Sequence, residues 1–198
     1  RPDRRFSSGR PVTAADAAFS LQRAIRLNRT PAFILAQFGF TRDNVEERIV
    51  APSTDTLVLR PAEALSPSLL LYCLTTNVAS VVDRAAVLEH AEGDDLGNGW
   101  LKTNSAGTGS FVLRSWRASE QVTLEANPHA AVASRLRRVL TRHVPDPGVQ
   151  LLLLQQGDLD LARARQTAQL KTVAPPPALR ISRAARDTLT YVAMNLRH

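Results

Sequence analysis

A single cysteine, Cys73, is all the chain of 198 residues has, which excludes an internal disulfide framework and a cysteine-rich metal site. Lysine is almost missing as well, confined to Lys102 and Lys171, and aromatic residues make up only 5%. Nucleic-acid bases would find little to stack on. No stretch approaches the roughly 18 to 20 apolar residues that cross a bilayer as a helix. The first residues lack the charged, apolar and small-residue zones of a signal peptide. They open on Arg1-Pro2-Asp3, as a piece of a longer chain would.

What is present is the composition of a folded globular chain, 44% hydrophobic and 22% charged, with enough length to bury a real core. The net charge of +7 raises nucleic acid as a partner. However, the arginines are scattered singly or in pairs such as Arg4-Arg5 and Arg137-Arg138, without a basic run. A solvated basic surface is the favoured reading, and Cys73, inside the apolar run Leu69 to Leu74, reads as a small buried hydrophobe.

Catalytic chemistry is poorly represented. His90, His129, His143 and His198 are widely spaced, and none stands in a ligand pattern with cysteine or a second histidine. They read as surface or structural residues. Asp158 and Asp160 stand two apart on a stretch read as extended, so their side chains point to opposite faces. A turn role for Asp158, with Asp160 hydrogen-bonded to backbone, is expected. Gly107-Thr108-Gly109 lacks the lysine of a phosphate-binding loop and leads into a strand, so a backbone hinge or tight turn, where glycine tolerates positive φ, is expected there.

Along the chain, Phe6 to Val12 reads as a strand end and turn, and Thr13 with Asp16 three residues later forms a capping box. A helix carrying Ala18, Leu21 and Ile25 follows, ending near Asn28. After a looser stretch to Thr41, Val45 to Val50 and Thr56 to Leu59 predict a hairpin. Ser66-Pro67 opens a helix to Leu74, and Asp83 caps another carrying Ala86, Val87 and His90. The glycine-rich acidic stretch 93–99 reads as a boundary, placed near residue 97. Beyond it, Gly109 to Trp116 and Gln121 to Glu125 predict a second hairpin, with the Asn127-Pro128 turn and a strand from Arg138 to Val144 after it. Asp146-Pro147-Gly148 caps a leucine-rich helix that Gly157 ends. A strand at Leu159 to Ala162, a polar helix around Thr167 to Leu170, the Pro175-Pro176-Pro177 spacer and strands at Leu179 to Ser182 and Leu189 to Met194 complete a mixed α/β (α+β) chain.

The order of these segments resembles the extracytoplasmic peptide- and nickel-binding proteins of ABC importers, solute-binding family 5. Phe6-Ser7-Ser8-Gly9-Arg10-Pro11-Val12-Thr13-Ala14-Ala15-Asp16 to Leu21 is similar to the family's signature at the opening of a helix. Gly107-Thr108-Gly109-Ser110-Phe111 resembles its G-T-G-P-[YF] element, with serine in place of proline. Leu124-Glu125-Ala126-Asn127-Pro128 resembles the L-E-x-N-P turn, although Ala130 and Ala131 stand where aromatic residues usually follow. Gln156-Gly157-Asp158-Leu159-Asp160 and Tyr191-Val192-Ala193-Met194-Asn195 match two further elements.

The resemblance implies part of a two-lobed periplasmic-binding fold: residues 1–96 in a small accessory subdomain, 97–198 in the first lobe up to the hinge, and the second lobe outside this chain. It implies capture of peptides outside the inner membrane for delivery to a permease, without enzymatic activity or cofactor. It places Thr75, Thr76 and Asn77 at the ligand cleft and Tyr191 and Asn195 at its hinge end. Without the second lobe, weak binding and self-association through exposed apolar surface are expected. Capture of a nickel chelate, a sugar or an opine by the same framework is the first alternative. A basic nucleic-acid-associated domain, which would need arginines converging on one face, is the second. A peptide hydrolase ranks last, because no spacing nominates a nucleophile.

Overall fold

The computed structural model describes residues 3–64 and 66–162. The chain divides into two compact units, one ending at His143 and the next beginning at Val144.

The first unit is built around helix α1 (Ala14–Leu27), which starts where the sequence predicts: Thr13 and Asp16 make the reciprocal capping box. Asn28, in the left-handed region at φ 46°, ends it. Ala18, Leu21 and Ile25 line one face and bury against Leu35, Phe38, Phe40, Val45, Ile49 and Cys73. This spacing of apolar residues at three and four is what lets a single helix face enter a core.

The looser stretch before Thr41 holds the short helix α2 (Phe33–Ala36). It delivers three nearly inaccessible side chains, Leu35, Phe38 and Phe40. The predicted hairpin is corrected. Val45–Arg48 is a helical turn, α3, and only Ile49–Val50 (β1) and Val58–Leu59 (β2) pair, antiparallel. The reason lies in Glu47: a strand that buries Val45 and Ile49 would turn Glu47 to the same buried face, whereas a helical turn brings Val45 and Ile49 together and leaves Glu46 and Glu47 exposed.

Helices α4 (Pro67–Cys73) and α5 (Arg84–Glu89) form as expected, α5 capped by Asp83. On α4 only Cys73 is buried, while Leu71 is 63% and Tyr72 74% exposed. The acidic stretch 93–99 lies inside the first unit as a folded turn. The Asp95 carboxylate accepts hydrogen bonds from the N–H groups of Glu92, Gly97 and Gly99, and Arg23 Nε donates to Leu96 O at 2.7 Å. The Asp95 bonds close the turn on itself, and the Arg23 bond fastens it to α1.

Strands β3 (Phe111–Arg117), β4 (Gln121–Ala126) and β5 (Arg138–Arg142) form an antiparallel sheet in that order. A bulge between Leu113 and Ser115 leaves Arg114 as the extra residue. In the second unit, helix α6 (Pro147–Gln156) runs from an Asp146 cap to Gly157 at φ 83°. The predicted strand at Leu159 to Ala162 is not formed. The Asp158 N–H instead closes the end of α6 on Leu153 O at 2.9 Å. The segments expected beyond residue 162, with Tyr191, Asn195 and His198, lie outside the described residues.

Candidate functional site

The sequence motifs meet at a single junction. The turn at Phe6 closes through Gly9 N–H to Phe6 O at 2.9 Å, with Gly9 at φ 86°. The left-handed φ is what favours glycine here, and a Cβ would also press on the exposed His129 ring, 3.1 Å from Nε2. Asp16 caps its own helix through Thr13 and also accepts from the Arg84 N–H at 3.1 Å, tying α1 to α5. Ser20 Oγ completes the tie by accepting from the Val82 N–H at 3.0 Å.

Asp83 is the centre of this junction, 1% exposed. Its carboxylate accepts from Ser8 Oγ at 2.6 Å and from the Ala86 N–H at 3.1 Å, with Arg10 at 3.5 Å. Burial pushes the carboxyl up, but the bonds from Ser8 and Ala86 and the Arg10 charge outweigh it and hold it below the usual carboxylate range.

The glycine-threonine-glycine element joins from the far side of the sequence. Ser7 N–H donates to Gly107 O and Asp83 N–H to Ala106 O. Neither Gly107 nor Gly109 lies in the left-handed region, contrary to expectation, and Thr108 is exposed. The carbonyls do the holding: Asn127 Nδ2 donates to Gly109 O at 2.8 Å. Asn127 is 4% exposed and also accepts from the His129 N–H, which shapes the turn through the exposed Pro128. The motif residues of the first unit are therefore scaffold, locking segments far apart in sequence.

Thr75, Thr76 and Asn77 follow the end of α4. Thr75 Oγ1 donates to Tyr72 O at 2.7 Å and Thr76 Oγ1 to Cys73 O at 2.6 Å, so both hydroxyls finish the helix and offer a ligand only lone pairs. Asn77 is exposed at the start of a turn of 3-10 helix, Asn77–Ala79. Its side chain has no hydrogen-bond partner among the described residues. The three are neighbours, and the structure describes no junction between them and Tyr191 or Asn195.

Among the described residues no group of three His, Cys, Asp or Glu side chains could hold a metal ion. His90 is stacked on Trp100 with ring centroids 4.4 Å apart, and His129 and His143 are exposed. Asp158 and Asp160 are exposed, and among the described residues neither carboxylate accepts a hydrogen bond, the backbone bond expected at Asp160 included. No helix among the described residues is long and apolar enough to cross a membrane.

One convergence escaped the sequence. Residues opposite one another in an antiparallel ladder share a face, and the register therefore groups Arg117, Arg138 and Arg142 with Glu125. The bulge adds Arg114, whose Nε donates to Glu125 at 2.6 Å while Arg138 donates to its other oxygen at 2.9 Å. These bonds keep the Glu125 carboxyl below its ordinary range. The alternation Arg138, Leu140, Arg142 was readable as one strand face; Arg114 was not, because only the bulge brings it there.

The described residues form a mixed framework of helices and small sheets in which the motif residues act as structural ties. The pattern of the family described as "Bacterial extracellular solute-binding proteins, family 5 Middle" matches residues 1–198, and the chain belongs to that family. It is 29% identical over 192 residues to the probable D,D-dipeptide-binding periplasmic protein DdpA of Escherichia coli, covering 96% of this chain and 35% of that relative. The chain spans about a third of the length of the curated relatives it matches. In fold it is similar to Haemophilus influenzae OppA in complex with RPPGFSPFR, with TM-score 0.67 and 22% identity over 86% of this chain and 35% of that one. Campylobacter jejuni NikZ in complex with Ni(L-His) matches at TM-score 0.63 and 18% identity, over 81% of this chain and 30% of that one.

Proposed function

We propose that this chain is part of the substrate-binding component of an ABC importer, one that captures peptides in the periplasm and hands them to a membrane permease without a covalent step. The family match along residues 1–198 carries this reading, and the likeness to a probable D,D-dipeptide-binding protein favours a short peptide. In the whole protein, residues 1–96 would belong to the accessory subdomain and 97–198 to the first lobe. The bonds between Ser7 and Gly107 and between Asp83 and Ala106 would then cross from one to the other.

Thr75, Thr76 and Asn77 are proposed as ligand-facing, Asn77 foremost because its amide is exposed and unspent. Tyr191 and Asn195 are proposed at the hinge end of the same cleft. The apolar side chains left in solvent, among them Leu71 at 63% and Tyr72 at 74%, support self-association, which concentration-dependent sedimentation tests.

Calorimetric titration with di- to pentapeptides, including dipeptides of D-residues, tests the main reading. Saturable heat with peptides supports it. Saturation by a nickel-histidine chelate or a sugar, with none by peptides, would overturn the peptide assignment in favour of another solute.

A further inference from the structure

Between residues 103 and 143 the only carboxylate side chains are Glu120 and Glu125. On one face of the β3–β4–β5 sheet these two acids meet four arginines. Glu125 serves both Arg114 and Arg138, and Glu120 pairs with Arg117. Arg142 makes no ion pair among the described residues. The face is left with an excess of positive charge. The arginine side chains at 114, 117 and 138 are 63%, 62% and 61% exposed, so their charge reaches bulk solvent.

We infer that this sheet face is a docking surface for the headgroups of an anionic phospholipid bilayer. Leu140 sits between Arg138 and Arg142 on the same face and is 50% exposed. An apolar side chain framed by cations suits the boundary between headgroup and acyl chain, where each basic residue adds to the attraction for anionic lipid. Trp116, the aromatic residue of β3 best placed to stack a base, pairs with Val122 and lies on the opposite face, so single-stranded nucleic acid finds no platform beside these arginines. Preferring lipid to an acidic protein rests on the proposal that the protein works beside a membrane permease. The vesicle experiment uses no peptide, so its failure and that of the peptide reading are separate results.

The test is co-sedimentation of the full chain with phosphatidylcholine vesicles, with and without phosphatidylglycerol. Arg138→Gln/Arg142→Gln is compared with a charge-matched control, Arg29→Gln/Arg42→Gln, whose positions are exposed on the same unit. Far-ultraviolet circular dichroism verifies folding, and Arg142→Gln alone removes a charge without breaking an ion pair. Binding should require phosphatidylglycerol and fade with added salt. It should weaken about fivefold for Arg142→Gln, the factor corresponding to ~1 kcal/mol per basic residue, and further for the double variant, with the control close to the parent. Absence of binding, equal loss in the control, or retention on DNA or polyglutamate as tight as on the vesicles would overturn the inference.

Discussion

Ser8 Oγ donates to the Asp83 carboxylate at 2.6 Å, joining a turn near the start of the chain to a helix cap 75 positions later. Removing that acceptor strands the Ser8 hydroxyl and the Ala86 N–H together. Asp83→Ala should therefore cost about 1–3 kcal/mol, the sum expected for a lost helix cap and a lost hydrogen bond to a charged group. Asp83→Asn, which keeps one acceptor oxygen, should cost less. Urea unfolding of the three proteins checks the order.

The same carboxylate gives stability a pH dependence of known sign. Its folded pKa lies below the ordinary carboxylate value, so the unfolded chain binds the proton more readily. The contribution is then complete above the unfolded pKa of about 4 and is lost as pH falls through the lower folded value. In acid titrations followed by circular dichroism, Asp83→Asn should flatten this part of the acid limb. An unchanged limb would assign it to the other lowered carboxyls, Asp55, Asp95 and Glu125.

Two glycines of the acidic turn should answer differently to the same substitution. At Gly97, φ +69°, a Cβ would stand 2.5 Å from Val87 O and 2.6 Å from Val87 Cγ1, while at Gly93, φ +55°, it would meet nothing within 4 Å. Gly93→Ala should cost only the left-handed penalty, about 1–2 kcal/mol. Gly97→Ala should exceed it clearly, because a backbone carbonyl has to move. Thermal melts of the pair separate the two costs.

Ligand contact at the end of α4 should divide its three polar residues. Asn77→Ala should weaken peptide binding up to about tenfold, the loss of one hydrogen bond, with the melting temperature unchanged. Thr76→Ala should lower stability slightly, since its hydroxyl finishes α4. Calorimetry combined with melts distinguishes these effects, and equal binding by Asn77→Ala would remove it from the site.

Local signals were the legible part of the fold. Thr13 with Asp16, Ser66-Pro67, Asp83, Asp146-Pro147 and Gly157 marked helix ends that the structure reproduces, because caps satisfy backbone groups from within a few residues. The short apolar stretch Val45 to Val50 misled, since alternation and helical spacing look alike over so few positions. The acidic stretch 93–99 had the composition of a linker, but the bond from Arg23 to Leu96 O is not encoded in composition.

By itself the sequence determined the local elements, the absence of a disulfide framework and, through its ordered motifs, the family. Those depend on backbone hydrogen bonding and side-chain volume within a turn or strand. Tertiary structure alone decided that Ser8, Asp83, Gly107 and Asn127 belong to one junction, and that four separated arginines share a sheet face. Both follow from strand register, a one-residue bulge and hydrogen bonds as distant in sequence as Ser7 to Gly107, separations over which a linear pattern carries no geometric information.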